Sequence, residues 1–396
     1  MQTSDFKAAQ PLGAGGDAMA SAGQGAAVAD PMLRAVGWRS LQDKSMIGAW
    51  DALAAAVADP NPFYESWFLL PSLEAFDSGE TVQILLLERD GILLGLLPVQ
   101  RQTRYYGNPL PHWRNWLHFN CFLGHPLVIA GFERAFWQAV LAWFDQSGGT
   151  QMFLHLSHCP LDGAVHGGLK DELQQQRRPA ATVMREERAM LRSDLSPDDY
   201  FANSLSTKKR KELRRQQRRL SELGELSIER VTGTTGMPAW SEEFLELEQR
   251  SWKGSAGSAM ASETQNKALF EQAMLGAARR DRLERLTMRL DGRPIAMLAS
   301  FLCPPAACAF KTTFDEDFAR YSPGVLLQQE NLAVLGKADI TYSDSCASQD
   351  HPMIDHFWRE RRDIARHSIA IGGRLRRMAF HLLSRHENGT APQGIA

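Results

Sequence analysis

The feature that most constrains the fold is an order of predicted elements that occurs twice. Each half of the chain contains two helices, a β-hairpin, a strand, a helix and a strand. Both hairpins turn at an Asp-Gly pair between apolar runs, at Asp90-Gly91 and at Asp291-Gly292, which is a strong local hairpin signal. We interpret the repetition as a duplicated domain, with chance likeness between two mixed domains as the alternative. It predicts an α/β (α+β) fold of tandem domains, each a mixed, mostly antiparallel sheet flanked by helices.

Length and composition place the boundaries of these domains. A chain of 396 residues suits two hydrophobic cores better than one. We predict a first domain over 31–192, a second over 193–371, and a basic amphipathic helix and tail over 372–396. Residues 1–30 are rich in Ala, Gly and Gln, so we expect a disordered leader there. They lack the basic start and apolar block of a secretory signal.

The overall charge and the cysteines narrow the function classes. The 44 basic and 46 acidic side chains give a net charge of -2, so contact with nucleic acid or a membrane would need local patches. The five cysteines are scattered without a CxxC pair, which argues against a disulfide framework and a zinc site. We expect no metal. We also expect a cytoplasmic protein, with a peripheral position at the inner membrane face as an alternative.

Capping and periodicity signals give further local predictions. Ser45 is placed to cap a helix over Met46–Ala58, and Ser241 to cap one that runs to Arg250. The spacing of apolar residues also predicts a helix over Ile354–Ile369.

Several stretches of the second half resemble a known family. They are FANSLSTKKRKELRRQQRRLSELGELSIERV, LELEQRSWKGSAGSAM, KTTFDEDFARYSPGVLLQQENL and TYSDSCASQDHPMIDHFWRERRDI. They are similar to the acetyltransferase domain of CelD-like proteins, a GNAT family associated with cellulose and exopolysaccharide production. That family is related to the Fem peptidoglycan aminoacyltransferases, which also carry two GNAT-like domains. The resemblance covers Ser193–Ile369 well and the first half, expected to be degenerate, only by element order.

The resemblance implies an acyltransferase that uses acetyl-CoA or another acyl-CoA as co-substrate. Its pyrophosphate loop would be RYSPG at 320–324, a reduced form of the Arg/Gln-x-x-Gly-x-Gly/Ala loop of standard members. Free amides at a helix start suit a pyrophosphate. We therefore expect Arg320 to pair with a phosphate, Ser322 to donate its hydroxyl, and Gly324 to allow close approach. The amides starting at Val325 should face an empty groove. The alternative is an ordinary helix cap at Ser322.

Four residues are candidates for the chemistry itself. In the Fem relatives a lysine on the corresponding strand is thought to stabilise charge at the reacting carbonyl, which implies this role for Lys311; a solvent-facing lysine is the alternative. Asp344, which we place facing the cleft, or Glu248 could be the general base, and Tyr321 could protonate the leaving thiolate. For each carboxylate the alternative is an ordinary solvated or ion-paired side chain.

The acceptor region is predicted around Trp252 and Lys253. Sugars stack on aromatic faces, so Trp252 favours a glycan or other small-molecule acceptor, although a core tryptophan is the alternative. The run Lys208–Arg219 is the strongest charge feature. It could be a solvated helix face, bind a phosphate-bearing acceptor or tRNA, or rest on an anionic membrane. The basic helix Arg374–Arg385 could also dock on a membrane or pack back on the domain.

Three functions remain open from the residues alone. The first is acyl transfer from acyl-CoA to an amine or hydroxyl of a sugar or other envelope precursor. The second is a Fem-like aminoacyltransferase that uses aminoacyl-tRNA, and the third is a non-catalytic GNAT-fold binding protein.

Overall fold

Alternating apolar runs form the strands of one mixed sheet in the computed structural model. The structure describes residues 29–351, 353–355, 357–389, 391–392 and 394–396, so the predicted leader lies outside the described residues except for its last two. Residues 31–396 form one compact unit. Its strands are β1 (Met32–Gly37), β2 (Gln83–Arg89), β3 (Ile92–Gln102), β4 (His112–Asn115), β5 (Leu127–Val128), β6 (Phe153–Pro160), β7 (Ala180–Leu191), β8 (Leu226–Thr232), β9 (Leu283–Leu290), β10 (Arg293–Cys303), β11 (Ala306–Phe314), β12 (Tyr342–Asp344) and β13 (Glu360–Ala370).

Helices lie along the faces of this sheet. They are α1 (Lys44–Ala55), α2 (Ser66–Phe76), α3 (Glu133–Ser147), α4 (Ala164–Gln175), α5 (Pro197–Ser204), α6 (Thr207–Ser221), α7 (Met237–Arg250), α8 (Trp252–Ser255), α9 (Thr264–Ala278), α10 (Pro323–Asn331) and α11 (Arg374–Asn388). Among the described residues, no helix is both long and apolar enough to cross a bilayer.

The strand order shows the duplication directly. It is β1-β2-β3-β4-β6-β13-β7-β12-β11-β10-β9-β8, with β5 paired to β3 beside this path. Read inward from either edge, the two halves place equivalent strands in the same order. The two central strands are exchanged, because β13 pairs with β6 of the first half and β7 pairs with β12 of the second. The predicted mixed, mostly antiparallel sheet flanked by helices is confirmed. The domain boundary at 192/193 stays a prediction, and each exchanged strand lies among the strands of the other half.

The two predicted hairpins are present. In β2–β3 the turn residues Asp90 and Gly91 have φ of 51° and 77°, and in β9–β10 Asp291 and Gly292 have φ of 49° and 78°. Two successive residues with positive φ are typical of the tight turn whose twist matches that of a hairpin. Both turns were readable from sequence because Asp and Gly adopt this conformation at little cost.

Three local predictions are wrong. Asp43, not Ser45, caps α1, since its carboxylate accepts from the Met46 N–H at 3.0 Å. Helix α7 begins at Met237 after Gly236, which leaves Ser241 buried inside the helix.

The third wrong prediction is the helix over Ile354–Ile369. A turn occupies its start and strand β13 occupies the rest. That strand pairs with β6 on one side and β7 on the other, so pairing with distant strands outweighs its local periodicity.

A shared aromatic core joins the two halves. In the first half, Phe63 lies in a turn just before α2, and Trp67 and Phe68 lie in α2. All three pack on Phe301 of β10, with ring centroids 6.3, 4.8 and 5.9 Å apart. Each buried aromatic side chain of this kind contributes roughly 1.5–3 kcal/mol by leaving water. Strands β10 and β11 are therefore fixed against α2, which brings first-half residues next to β11, the strand that carries Lys311.

Candidate functional site

The site begins where two parallel strands separate. Strands β11 and β12 pair at Ala306↔Tyr342, Ala307↔Ser343 and Cys308↔Asp344, and the pairing stops there. Beyond Cys308, β11 continues to Phe314, and a register shift against β10 marks a bulge in this stretch. Bulges bend a strand and re-aim its side chains. The edge of β11 after Cys308 thus borders an opening in the sheet. We call it the second opening because it lies in the second half of the chain.

Lys311 lies on this free part of β11. Its Nζ donates to Oδ1 of Asn120 at 2.8 Å and lies 5.7 and 5.5 Å from the ring centroids of Phe122 and Phe310. Burial lowers the pKa of Lys311 to about 8, against the opposing charge of Glu248. A solvent-facing lysine, the alternative reading, is therefore wrong. The group remains mostly protonated at neutral pH and titrates just above it.

First-half residues hold the Lys311 ammonium in place. Asn120 comes from the segment between β4 and β5, and its Nδ2 donates to Oδ1 of Asn266 on α9 at 3.0 Å. The Asn120 N–H also donates to Nδ1 of His118 at 3.3 Å. Burial, with the charge of Lys311, lowers the pKa of His118 to about 3, so this ring is neutral. Its Nε2 is buried without a hydrogen-bond partner in the described part of the chain.

Sequence reasoning missed Asn120, His118 and Asn266. Asn120 and His118 lie far from Lys311 in the chain and belong to no motif. The signal that could have found two of them is the pair of polar residues His118 and Asn120 in the segment between β4 and β5.

Glu248 and Lys253 form a buried ion pair beside Lys311. Glu248 accepts from Lys253 Nζ at 2.9 Å with one oxygen and from the Met260 N–H at 2.8 Å with the other. Lys253 Nζ also donates to the carbonyl of Thr312, the residue after Lys311, at 2.8 Å. The structure thus brings Glu248, Lys253 and Lys311 together, with Glu248 in the ion-paired state that was the alternative for it. Trp252 is 59% exposed, so it is not a core tryptophan.

The prediction that Asp344 faces a cleft is wrong. Its side chain is fully buried, and it accepts from Nη1 of Arg362 at 3.0 Å and Nη1 of Arg188 at 3.5 Å. Burial alone would raise the pKa of Asp344, but the charges of Arg188 and Arg362 bring it below the ordinary value. These arginines come from β7 and β13, the exchanged strands. Asp344 therefore joins the two halves as the shared partner of two buried arginines, and because it faces no cleft it is no candidate base.

The loop before α10 offers fewer free amides than expected. Ser322 adopts φ 55° and ψ 48°, and its hydroxyl does not cap the helix, contrary to the ordinary-cap alternative. Pro323 has no N–H, and the N–H groups of Val325 and Leu326 both donate to the Ser322 carbonyl at 3.0 Å. Within the described residues, the Gly324 N–H is the one amide at this helix start without a hydrogen bond. The expectation for Val325 is therefore wrong.

Side chains also cover the start of α10. A Cβ atom at position 324 would lie 3.0 Å from Sδ of Met353 and 3.1 Å from Cδ1 of Phe314. The groove expected there is thus filled at Gly324. Nearby, the Arg320 guanidinium stacks on the Tyr321 ring, with 4.8 Å to the centroid, and Tyr321 packs in the second-half core. Space for a pyrophosphate at this helix start would require Met353 to move.

The basic helix α6 lies against this loop. Gln216 on α6 donates through Nε2 to the Arg320 carbonyl at 3.1 Å, and Leu213 and Leu220 are buried beneath it. Its exposed cations are Lys208, Lys209, Lys211, Arg214, Arg215, Arg218 and Arg219. The fold therefore sets the strongest positive patch of the sequence beside the predicted phosphate loop.

Two other features of the described residues lie apart from this chemistry. A groove of about 790 Å³ runs between α7 and α9. Its lining residues do not include Lys311, Lys253 or Glu248. Among the described residues, no group of three or more His, Cys, Asp or Glu side chains could hold a metal ion.

Comparisons with known proteins agree with this architecture. Residues 207–351 match the family described as an acetyltransferase (GNAT) domain. No curated protein matches the chain. Among solved structures, FemX is 9% identical with a TM-score of 0.53, covering 85% of this chain and 98% of its own. A conserved protein of unknown function from Bacteroides thetaiotaomicron VPI-5482 is 11% identical with a TM-score of 0.50, covering 82% and 97%.

At these identities the structural likeness shows the fold alone. The chain thus has a GNAT-type fold, and residues 207–351 match the acetyltransferase (GNAT) domain family.

Proposed function

We propose that this protein transfers an acyl group, acetyl in the simplest case, from acyl-CoA to an amine or hydroxyl of a sugar or other envelope polysaccharide precursor. The observation that carries the proposal is Lys311, a desolvated ammonium held by Asn120 at 2.8 Å beside the second opening. The match of residues 207–351 to an acetyltransferase domain supports the reaction class.

Lys311 would act on the carbonyl that is attacked. As the acceptor adds to the thioester carbon, negative charge develops on the carbonyl oxygen, and a fixed ammonium in a site with little water stabilises that charge strongly. Asn120 accepts one of the three Nζ protons and leaves the others for the oxyanion. Because Asn120 and Asn266 hold each other at 3.0 Å, the ammonium needs little reorganisation during the reaction.

Glu248 remains the candidate general base, with Lys253 holding its carboxylate in place. Each Glu248 oxygen accepts one hydrogen bond, and a carboxylate oxygen can accept a second. The acceptor could therefore pass its proton to a carboxylate oxygen of Glu248. Tyr321 would return a proton to the leaving thiolate, since no hydrogen bond from its hydroxyl to another described residue is present.

The donor would lie along the loop before α10. Arg320 would pair with a phosphate, and the Ser322 hydroxyl and the Gly324 N–H would donate to the pyrophosphate, since neither group is taken by the fold. The Val325 N–H would contribute only if it gave up its hydrogen bond to the Ser322 carbonyl and donated to the pyrophosphate instead. Trp252 supplies an exposed aromatic face and Lys253 a cation on the acceptor side.

An aminoacyl-tRNA donor is the second candidate. It is favoured by the position of α6, whose exposed cations lie beside the loop through the Gln216–Arg320 contact. The small number of free amides at α10 also suits a donor bound mainly through its backbone phosphates.

A titration of thermal stability separates these functions. We expect acetyl-CoA and CoA to raise the melting temperature, because a ligand that binds only the folded state stabilises it. Gly324→Ala should weaken this effect by crowding Met353, whereas Gly336→Ala, at a position with open space around it, should not. Stabilisation by tRNA at physiological salt, but not by CoA, would favour the second candidate. No response to any of the three would contradict enzymatic acyl transfer and leave a binding protein.

We also propose that α11 can rest on an anionic bilayer. Phe380 packs on the domain, but Leu375, Met378 and Leu382 are exposed on the outer side. Apolar side chains flanked by arginines suit the headgroup region. Sedimentation with phosphatidylglycerol vesicles should capture the wild type and lose a Leu375→Gln, Leu382→Gln variant; equal sedimentation of both would refute this location.

A further inference from the structure

A group of cationic side chains on the central strands is not used by the proposed reaction. Arg114 of β4 pairs in register with His155 of β6, and His155 with Ser368 of β13. Arg366 lies two residues before Ser368. Opposite Arg366, β6 carries an additional residue, because the register shifts between Ala365 and His367. His158, in that bulge, has φ 56°, a conformation that non-glycine residues keep only under structural or functional constraint.

We call Arg114, His155, His158 and Arg366 the central cationic cluster. Neither arginine has a carboxylate oxygen within 4 Å among the described residues. Arg114 donates to the Leu117 carbonyl at 3.0 Å, and Arg366 donates to the Tyr106 hydroxyl at 3.0 Å. Both guanidinium groups are thus held by neutral oxygens alone.

Buried nitrogens of the cluster are left without partners. Nε of Arg114 and Nδ1 of His158 are buried and make no hydrogen bond within the described residues. At the edge of the cluster, Nε of Arg188 is in the same state, although its Nη1 donates to the Phe122 carbonyl at 2.9 Å and it contacts Asp344 and Glu186. Unpaired buried donors are rare in native proteins and often mark an unseen ion or water.

The cluster's charges act on one another. Burial, together with the charges of Arg188, Arg366 and Arg114, lowers the pKa of His158 to about 4. Burial likewise lowers the pKa of His155 to about 3, together with His112, Arg366 and Arg114. Both imidazoles are therefore neutral, and a neutral imidazole can still donate one N–H. The charge of the arginines thus disfavours a further cation at this place, and it would favour an anion there for the same reason.

The cluster is reachable from solvent. Arg114 and Arg366 are half-buried, and Tyr106, which binds Arg366, is 60% exposed. A carboxylate, Glu387, also approaches this face, but it accepts from the Tyr105 hydroxyl at 2.7 Å and forms no ion pair with the cluster. The acid that would neutralise the arginines is thus not supplied by the described chain.

We propose that the central cationic cluster binds a doubly charged oxyanion, the phosphate monoester group of a small molecule. Planar guanidinium forks match phosphate oxygens in geometry, and two such forks with neutral imidazole donors match its charge. The site lies on β4, β6 and β13 and uses none of the residues assigned to acyl transfer, so it goes beyond that function and does not depend on it.

Calorimetric titration of the full chain with inorganic phosphate, in chloride buffers of equal ionic strength, tests this site. We expect saturable binding by the wild type and at least tenfold weaker binding by Arg366→Gln and by Arg114→Gln. Arg101→Gln, which removes an exposed arginine of β3, and Arg320→Gln, at the loop before α10, should change binding less than twofold. The second control separates this site from the phosphate loop of the proposed function.

Melting temperatures without phosphate check that the variants fold. Removing an unpaired cation should leave the melting temperature of Arg366→Gln at or above that of the wild type; should Arg114→Gln misfold, Arg366→Gln carries the test. Equal weakening by Arg101→Gln would show a general positive field and overturn the proposal. Two other results would also overturn it. One is phosphate binding no stronger than that of chloride, and the other is tighter binding of malonate than of phosphate, which would indicate a dicarboxylate ligand.

Discussion

The two halves of the molecule use the same strand arrangement for opposite purposes. In the first half, parallel strands β4 and β6 pair at two positions and then separate, as β11 and β12 do in the second. Asn115 spans this first opening: its Nδ2 donates to the Ser157 carbonyl at 2.9 Å and its Oδ1 accepts from the Ser157 N–H at 2.9 Å. The second opening carries Lys311 instead.

The backbone itself completes the closure of the first opening. The Gly124 N–H donates to the His158 carbonyl at 2.8 Å, and a Cβ atom at position 124 would lie 2.1 Å from the Ser157 oxygen. The segment that closes the first opening also carries Asn120 to Lys311. The same arrangement of strands is thus closed in one half, and the segment that closes it supports Lys311 in the other half.

The largest expected effect concerns the link between the halves. Asp344→Asn should destabilise the protein by about 3–5 kcal/mol, because it leaves Arg188 and Arg362 buried without their counter-charge. Asp363→Asn, which breaks the more exposed pair with Arg185, should cost about 1 kcal/mol or less. Chemical denaturation measures both. Equal, small losses would mean that the exchanged strands are joined by their hydrogen bonds alone.

Replacing Lys311 tests whether the second opening is the reactive one. Lys311→Met keeps the side-chain length and removes the ammonium, and we expect kcat to fall roughly 100- to 1,000-fold, the usual cost of one oxyanion donor. Lys170→Met, on the exposed face of α4, is the matched control. Steady-state kinetics with the acceptor identified by screening would measure the effect. Full activity in Lys311→Met would contradict the role of this opening.

Opening the first half should affect stability more than chemistry. Asn115→Ala leaves the Ser157 and Gly124 backbone groups without their partner, at a cost of about 1–3 kcal/mol. Asn108→Ala, an exposed position, should change the free energy of unfolding by less than about 0.5 kcal/mol. If Asn115→Ala were neutral, the first opening would not be held closed by this side chain.

The pH dependence of stability tests how far Lys311 is removed from water. The folded pKa of Lys311, about 8, lies below its ordinary value of 10.5, so the unfolded state binds more protons between these pH values. The free energy of unfolding of the wild type, relative to Lys311→Met, should therefore rise above pH 8 by up to ~1.4 kcal/mol per pH unit. Denaturation at pH 7, 8, 9 and 10 measures it. A constant difference would place Lys311 in water.

Features that depend on neighbouring residues could be predicted from the amino-acid sequence. The Asp-Gly turns, the apolar strands and the position of Lys311 on a strand before a helix follow from backbone preferences and local periodicity. These features were sufficient for the duplicated fold, and the family resemblance added Lys311, Glu248 and Lys253, which the structure brings together.

Features that depend on partners distant in the chain could not be predicted and became visible in the folded protein. The exchange of β7 and β13 turned a predicted helix into a strand and took Asp344 out of the cleft, because two arginines from the exchanged strands surround it. The approach of Asn120 to Lys311 and of Met353 to Gly324 likewise depends on how segments pack across the sheet. Burial and charge pairing are properties of the assembled core, and no local pattern of residues encodes them.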